Sequence, residues 1–471
     1  MNRNKELAKN TIILTVGKIC TQFVSFLLLP LYTSLLLPEE FGIVDLFNTY
    51  IALLVPIFNW QFENGLFRFM LDHRENKTWI KKVFSTVMLT NIFQSIIYLA
   101  FFAIAQFLIV SEYKYFLAMD VFLNIFLNTL LQFPRGIGDN TKYSIASFLS
   151  ATSTVALNVL FIAGFKMGAL GMFWATVCSK ILTIIYLIYS VKIWQYFSFR
   201  AYDRNLFKDI SRYSLPLIPN QLSWWVVSAS DRTIISYIIG VAANGIYTVA
   251  NKFSTVFITF YNIFNLSWTE SAALHINDED GEVFLTDTIN TMFKLFSSVC
   301  IGIIAYMPFV FSVMINEQYN EAYYQIPILM LAVLFQVVVG LYSVIYVSLK
   351  KSVEIARTSI YAAIINIIVD ICLIKFIGLY AASISTLVAY ASMAIYRYFH
   401  VKQFIDIKLN KKTVIWTIIM SLLTLVIYYS KKGIWMGENA IVVTVYAIVT
   451  NKEFIISTIQ IIIQKIYRRK I

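Results

Sequence analysis

The chain has 471 residues, of which 59% are apolar and only 14% charged, and its mean hydropathy is +0.71. This composition excludes a soluble globular enzyme or binding domain. The formal net charge of +12 is better explained by membrane topology than by nucleic-acid binding, so we expect no nucleic-acid partner. The 4 cysteines each lie within an apolar run and without Cys-x-x-Cys spacing, which predicts neither disulfides nor a zinc site.

Apolar runs of about 20 residues alternate with short polar loops from end to end, which predicts an all-α polytopic membrane protein. A transmembrane β-barrel would show shorter segments in which apolar and polar residues alternate. The predicted spans number 14 and cover residues 10–36, 41–66, 83–109, 115–133, 143–165, 169–191, 214–239, 245–272, 288–314, 323–349, 358–374, 379–396, 414–429 and 433–449.

The distribution of lysine and arginine gives the orientation. If both termini are cytoplasmic, the inner segments carry 28 of the 38 cations and the outer loops carry 5. Because cytoplasmic segments are enriched in Lys and Arg, this asymmetry predicts a multi-pass protein with both termini in the cytoplasm. The basic tail, 451–471, is typical of an amphipathic helix on the anionic inner leaflet, or of a plain solubilising extension.

Charged residues inside the spans are the candidate functional residues. A charge at the bilayer centre costs about 2.5 to 3.5 kcal/mol on insertion scales, so each must face a water-filled cavity, a partner or the interface. The cations predicted within spans are Lys18, Lys180, Arg232, Lys252 and Lys294. The anions of most interest are Asp45, Asp231 and Glu270, as coupling residues or as partners in ion pairs within the bundle.

Two sequence matches indicate an internal repeat. Residues 37–43 align with 240–246 at an offset of 203, and residues 168–171 align with 378–381 at an offset of 210. Together they predict two parallel six-helix lobes, residues 1–205 and 206–408, followed by the last two helices and a basic cytoplasmic tail in 409–471. Repeats of this kind place a substrate site at the lobe interface and work by rocking one lobe against the other.

Several chemistries have no sequence signal. The chain lacks Gly-x-x-x-x-Gly-Lys-Ser/Thr, so we expect no nucleotide hydrolysis, and its 3 histidines form no His-Glu-x-x-His arrangement, so we expect no metalloenzyme. Outer loops of about ten residues or fewer argue against a polysaccharide polymerase or glycosyltransferase. We therefore expect a transporter without a cofactor.

The central stretch of the chain carries Tyr213-Ser-Leu-Pro-Leu-Ile-Pro-Asn-Gln221, then Ser230-Asp231-Arg232, then Gly240 and Gly245-Ile-Tyr247. This stretch resembles the Wzx-type oligosaccharide flippases, the polysaccharide-transporter branch of the superfamily that also holds multidrug exporters and the lipid II flippase. Residues 38–42 resemble the first outer turn of that family, and 378–385 its repeated late-helix pattern.

The resemblance implies a MATE-like, V-shaped pair of six-helix lobes with two extra C-terminal helices in a bacterial inner membrane. It implies alternating-access transfer of an undecaprenyl-diphosphate-linked oligosaccharide from the cytoplasmic to the outer leaflet. The product would be a surface polysaccharide: the O antigen of lipopolysaccharide, a capsule or an exopolysaccharide. By the same resemblance, a cationic cavity receives the diphosphate, the lipid tail stays in a groove among membrane lipids, and H+ or Na+ coupling resets the cycle. A polymerase and a chain-length regulator are the implied protein partners.

The span cations fit this expectation, because a diphosphate cannot cross hydrocarbon without cationic partners. By the rise of a helix, Lys18 and Lys294 lie in the inner half of their spans, Lys180 near the middle, and Arg232 and Lys252 in the outer half. We therefore expect substrate-binding cations at several depths. A multidrug or organic-cation exporter of the same superfamily is the alternative, and it predicts a cavity dominated by anions and aromatic faces.

Overall fold

The computed structural model describes residues 26–276, 278–349, 351–430, 433–457 and 460. This part of the chain consists of helices and loops and contains no strand. Within it, 11 helices are long and apolar enough to cross a membrane. The all-α polytopic prediction is confirmed, as expected where lipid offers no partner for backbone N–H and C=O groups.

The chain divides into two compact units, Met1–Gly245 and Ile246–Ile471. The helices that begin in the first unit are α1 (Leu29–Leu35), α2 (Pro38–Phe58), α3 (Phe62–Asp72), α4 (Lys77–Ala105), α5 (Lys114–Gly136), α6 (Asn140–Asn158, continued by a π-helical turn Val159–Gly164), α7 (Gly168–Val191), α8 (Arg204–Ser214), α9 (Leu217–Ile238) and α10 (Val241–His275). Short 3₁₀ turns, Ile193–Gln195 and Phe199–Ala201, connect α7 to α8.

Among the described residues, two apolar clusters lie in the core of the first unit. One packs α2, α4, α5 and α7 together around Val44, Tyr98, Val121 and Phe173. The other packs α3, α4, α5, α7 and α8 together through buried residues that include Phe84. Because α5 contributes to both clusters, its middle is held between them.

The second unit contains the remainder of the described chain. Its further helices are α11 (Gly281–Met314), α12 (Glu321–Ser348), α13 (Ser352–Ile377), α14 (Leu379–Val401), α15 (Lys411–Ser430) and α16 (Gly433–Thr450), with a 3₁₀ turn at Glu317–Tyr319. Helix α12 is the most deeply buried of the candidate spans in the described residues. Helices α15 and α16 pack on α11 through Ile301, Ala305, Met420 and Val443, so the two predicted C-terminal helices are present.

The second predicted span, 41–66, is wrong as a single helix. The structure ends α2 at Phe58 and begins α3 at Phe62. Between them, Trp60 and Gln61 have φ angles of 53° and 56°, a left-handed conformation that interrupts the helical hydrogen bonds and is costly for residues other than glycine. Apolar periodicity did not reveal this break, because hydrophobic residues continue on both sides of it.

Other predicted boundaries need smaller changes. The first span, 10–36, is described only from residue 26 onward, and Lys465 to Lys470 of the tail lie outside the described residues. The seventh span corresponds to α9 and the eighth to α10. Helix α10 has 35 residues and is longer than the predicted span, 245–272. The twelfth span ends too early at 396, since α14 continues to Val401. The division into lobes at 205/206 and 408/409 stays a prediction.

Candidate functional site

A polar cavity of about 420 Å³ lies within the first unit. Its apolar wall comes from α2 and includes Val55 and Pro56. Its polar lining comes from α2, α3, α5, α7, α9 and the break before α3, and consists of Asn48, Gln61, Glu63, Asp120, Asn124, Asn128, Lys180 and Gln221. Amides, two carboxyl groups and one amine can bind a hydrated or hydroxyl-rich ligand at this position.

Helix α5 supplies one continuous polar face. Asp120, Asn124 and Asn128 are each four residues apart, and this spacing places them on one side of a helix. The Asn124 amide donates to the Asp120 carbonyl oxygen at 2.8 Å. The neighbouring residues Val121 and Leu127 are buried in the two apolar clusters, so packing orients the polar face toward the cavity.

Lys180 and Asp120 form an ion pair in the cavity wall, with 2.6 Å between Nζ and Oδ1. The side chains are 15% and 6% exposed. A buried charge pair of this kind needs precise support, because desolvation offsets much of the Coulomb attraction. That support includes the residue before Lys180, since the Ser179 hydroxyl bonds to the Ser150 carbonyl at 2.6 Å and to the Ser153 hydroxyl at 2.7 Å.

The helix break places two more polar side chains in the cavity, Gln61 and Glu63. Asn59 spans the break: its Oδ1 accepts from the Gln61 N–H at 2.9 Å, and its Nδ2 donates to Glu63 Oε2 at 2.8 Å. Its carbonyl oxygen accepts from Gln94 Nε2 of α4 at 3.1 Å. The left-handed backbone is therefore fixed by side-chain hydrogen bonds at the depth of the cavity, where irregular backbone is tolerated in membrane proteins.

A second ion pair of the first unit joins Arg232 of α9 to Asp45 of α2. The distance from Nε to Oδ2 is 2.8 Å, and both side chains are 17% exposed. The indole of Trp225 also donates to the Thr49 carbonyl at 2.8 Å, so α2 and α9 are joined at two levels. This arrangement matches the alternative of pairing within the bundle that the sequence left open for Arg232.

The other predicted site residues have different surroundings. Lys18 lies outside the described residues. Asp231 is buried on α9. In the second unit, Lys252 on α10 and Lys294 on α11 are half-buried, whereas Glu270 on α10 is exposed. The structure thus places Lys180 at the polar cavity and pairs Arg232 with Asp45.

Sequence reasoning missed three residues. Asp120 was not identified as the partner of Lys180, and Glu63 was not considered. Arg397 was not among the cations predicted within spans, yet it is buried in α14 with 1% exposure. Arg397 is one residue beyond the end of the twelfth predicted span, 379–396. Extending that span by one helical turn would have included it among the span cations.

A second, apolar cavity of about 470 Å³ lies in the second unit between α11 and α16. Its walls include Val299, Gly302, Val443 and Ile448. A hydrogen bond of 2.8 Å between the Tyr306 and Thr444 hydroxyls joins the two helices. Hydrocarbon is the ligand that such walls favour.

No group of three or more His, Cys, Asp or Glu residues comes together as a metal site within the residues that the structure describes. The charged groups that line the polar cavity there are Lys180, Asp120 and Glu63. This part of the cavity is therefore less positive than the sequence led us to expect, because two carboxyl groups accompany the single amine.

Residues 7–268 match the model of a family described as "Polysaccharide biosynthesis protein". No curated protein matches the chain in sequence. Among solved structures, the lipid II flippase MurJ in an inward closed conformation has a TM-score of 0.69 at 15% identity, covering 96% of this chain and 100% of its own.

Two further structures share the fold. An inward-facing multidrug resistance MATE family transporter of the MOP superfamily has a TM-score of 0.67 at 16% identity, covering 81% of this chain and 94% of its own. A MOP superfamily transporter from Pyrococcus furiosus, described as having a binding pocket of reverse polarity, has a TM-score of 0.53 at 16% identity, covering 84% and 96%. The MATE-like fold expected from the resemblance is confirmed.

Proposed function

This chain belongs to the polysaccharide biosynthesis protein family, and we propose that it is a flippase for undecaprenyl-diphosphate-linked oligosaccharides. It would move the lipid-linked repeat unit from the cytoplasmic to the outer leaflet of a bacterial inner membrane by alternating access. The distribution of Lys and Arg along the chain supports cytoplasmic termini.

The observation that carries the proposal is the polar cavity. Amide side chains donate and accept hydrogen bonds, which suits them to sugar hydroxyl groups. In the described part of the chain, five of them line the cavity: Asn48, Asn124, Asn128, Gln61 and Gln221. Lys180 adds an ammonium group that can hold a phosphate oxygen. A lipid headgroup composed of sugars and a diphosphate uses both kinds of contact.

Lys180 would reach the substrate by partner exchange. In this structure its ammonium is held by Asp120. A diphosphate oxygen entering the cavity would compete for the same ammonium, and Asp120 could then accept from a sugar hydroxyl. We extend the substrate-binding role to Lys18, Arg232, Lys252 and Lys294, and we propose Asp45, Asp231 and Glu270 as residues for coupling or for ion pairing.

The lipid tail requires a separate apolar surface, and the cavity between α11 and α16 is our candidate for it. Its walls, such as Val299 and Ile448, are apolar over nearly their whole area. A polyprenyl chain could remain there in contact with bilayer lipid while its headgroup is bound elsewhere.

A multidrug or organic-cation exporter is the second candidate function. The observation in its favour is that Glu63 and Asp120 accompany Lys180 in the cavity, since carboxylates attract cationic drugs. Aromatic rings, which also hold organic cations, are not among the residues found lining this cavity in the described part of the chain.

Reconstitution of the whole protein in liposomes tests the proposal. Undecaprenyl-diphosphate oligosaccharide placed in both leaflets should become accessible to an external glycosidase to a greater extent in proteoliposomes than in protein-free vesicles. The Lys180→Gln variant should reduce this transfer, whereas the exposed Lys208→Gln variant should not. If the oligosaccharide becomes no more accessible than in protein-free vesicles, and the protein exports an organic cation, the exporter function is supported instead.

A further inference from the structure

Glu63 is a carboxyl group in an unusual position. It lies in the first turn of α3, directly after the helix break, is 8% exposed and lines the polar cavity. Its side-chain partner is the neutral Asn59 amide at 2.8 Å, and no Lys, Arg or His of the described segments forms an ion pair with it. Burial with no ion-pair partner among the described residues disfavours a carboxylate, so this conformation favours the neutral acid.

The helices packed around α3 present few other charges to Glu63. Helix α5 contributes Asp120 and α7 contributes Lys180 to the same cavity. Further along α5, the guanidinium of Arg135 lies over the ring of Phe67, one helical turn after Glu63, and donates to Gln132 of its own helix. Helix α4 contributes the neutral Gln94, whose amide binds the Asn59 carbonyl. Helix α8 meets α3 at Gly65 through Ile210 and Ser214.

The remaining neighbours leave this balance unchanged. The charged residues of α8, such as Lys208 and Arg212, are exposed. The side chains that α2 and α9 contribute to the polar lining are the neutral Asn48 and Gln221. Because Lys180 and Asp120 neutralise each other, the protonation of Glu63 decides whether this described part of the cavity is neutral or carries one negative charge.

The proton on Glu63 also acts on the helix break. Asn59 holds the left-handed Gln61 with its oxygen and Glu63 with its nitrogen. Ionisation of Glu63 would strengthen the second hydrogen bond, since bonds to charged acceptors are about twice as strong as neutral ones. A negative Glu63 would also compete with Asp120 for Lys180. Both effects fall on groups that line the cavity.

We infer that Glu63 is a protonation site that links proton binding to anion binding in the cavity. With Glu63 neutral, Lys180 can exchange Asp120 for a phosphate oxygen; with Glu63 ionised, a second carboxylate repels the anion. Linkage is reciprocal, so a bound anion must raise the proton affinity of Glu63 by the same factor. The anion-binding half of this inference rests on the proposed function, whereas the protonation of Glu63 does not.

Infrared difference spectroscopy on the whole protein in detergent tests the protonation site. Spectra taken between about pH 5 and pH 9 should contain the carbonyl stretching band of a buried carboxylic acid. The band should lose intensity in Glu63→Gln, which keeps the side-chain size and the Asn59 contact, and should be unchanged in the matched control Glu282→Gln, an exposed residue in the first turn of α11. Because Asp231 and Asp370 are also buried, the informative part of the band is the intensity that Glu63→Gln removes. An unmodified protein whose band is unchanged by Glu63→Gln overturns the inference.

Binding of inorganic pyrophosphate at several pH values tests the linkage. Pyrophosphate titrates in the same range, so the informative quantity is the ratio of dissociation constants between the unmodified protein and Glu63→Gln. If one proton is taken up with the anion, this ratio should change by up to about tenfold per pH unit, with the unmodified protein binding more weakly at high pH. A ratio that does not vary with pH overturns the linkage.

The two measurements separate the possible failures. If the Glu63 band is present but pyrophosphate binding does not depend on Lys180, the result contradicts the proposed anion cavity and supports the protonation site. Transport of lipid-linked oligosaccharide without a Glu63 band contradicts the protonation site and leaves the proposed function standing.

Discussion

Gly42 and Gly245 face each other in the first unit, each at the start of a helix and each against the other's backbone. A Cβ atom added at Gly42 would lie 2.8 Å from the Gly245 nitrogen, and one added at Gly245 would lie 3.0 Å from the Gly42 nitrogen. The Asn244 side chain also donates to the Gly42 carbonyl at 3.0 Å. Only glycine permits two backbones to approach this closely.

The contact between Gly42 and Gly245 joins equivalent positions of the sequence repeat. Gly42 and Gly245 are equivalent at the offset of 203, as are Pro38 and Val241. A Cβ at Gly42 would overlap the Val241 carbonyl oxygen, and one at Gly245 would overlap the Pro38 carbonyl oxygen. The second aligned pair, Gly168 and Gly378, share φ angles of +59° and +57°.

Alanine at Gly42 or at Gly245 should therefore destabilise the protein. The added methyl group meets a backbone oxygen that cannot rotate away, and overpacking of this kind costs about 1 to 3 kcal/mol. Thermal unfolding in detergent should show a lower midpoint for Gly42→Ala and Gly245→Ala. The control is Gly302→Ala, since a Cβ at Gly302 has nothing within 4 Å; an equal loss in all three variants would contradict the contact.

Removing the charges of Lys180 and Asp120 should show whether Lys180 binds substrate or only stabilises the fold. Lys180→Gln alone leaves the buried Asp120 without its partner, so it should lower both stability and transport. The double variant Lys180→Gln with Asp120→Asn removes both charges and should recover stability. If Lys180 binds the diphosphate, transport by the double variant stays lower by about tenfold or more, because a charge-assisted hydrogen bond is absent.

Recovery of transport together with stability would instead show that Lys180 serves only as the partner of Asp120. The same pair of measurements applies to Arg232→Gln with Asp45→Asn, whose ion pair is 2.8 Å long. The measurement is glycosidase accessibility of the lipid-linked oligosaccharide in proteoliposomes containing equal amounts of folded protein.

Arg397 should be essential for the stability of the second unit. Its guanidinium donates to Thr358 Oγ1 at 2.7 and 3.1 Å and to the Val339 carbonyl at 3.2 Å. It also donates to the Ser343 hydroxyl and to the Ile355 carbonyl at 3.3 Å. One planar side chain therefore joins α12, α13 and α14.

Arg397→Met and Arg397→Lys should each lose about 1 to 3 kcal/mol of stability, because buried acceptors are left without donors. Lysine keeps the charge but lacks the planar fork, so we expect no rescue by Arg397→Lys. Thermal unfolding provides the measurement, and Arg357→Gln, at an exposed position on α13, is the control. Full rescue by lysine would show that charge rather than geometry is required.

Asp203 should give α8 a pH-dependent cap. Its Oδ1 accepts from the Asn205 and Leu206 N–H groups at 2.9 and 3.1 Å. The hydrogen bond from the Leu206 N–H is the main cause of a lowered pKa for this carboxyl, with the Asn205 N–H and Lys82 contributing. A lowered folded pKa means that the stabilisation is complete above the ordinary value of 3.8 and is lost as the pH falls through the folded pKa.

Asp203→Ala should therefore cost about 1 kcal/mol near neutral pH and progressively less in acid. Asp203→Asn keeps the capping oxygen without its ionisation, so its own capping contribution should not change with pH. Unfolding midpoints of the three proteins across the acid range give the comparison. A constant difference between the unmodified protein and Asp203→Ala would contradict a role for the charged cap.

The amino-acid sequence by itself determined the fold class and the position of most helices. Long apolar runs specify membrane spans because lipid forces each segment to satisfy its own backbone hydrogen bonds. The repeat also identified Gly42 and Gly245 as equivalent, although not as neighbours. Charges within spans pointed to Lys180 and Arg232, because the cost of burying a cation requires a compensating environment.

Only the tertiary structure decided which partners those charges have. Lys180 and Asp120 are 60 residues apart and meet because apolar packing turns one face of α5 toward α7; no local pattern encodes that rotation. The break at Trp60 and Gln61 depends on hydrogen bonds that Asn59, within the break, forms with Gln61 and with Gln94 of α4. Periodicity records which face of a helix is apolar, whereas the identity of a buried polar partner is fixed only when several helices pack together.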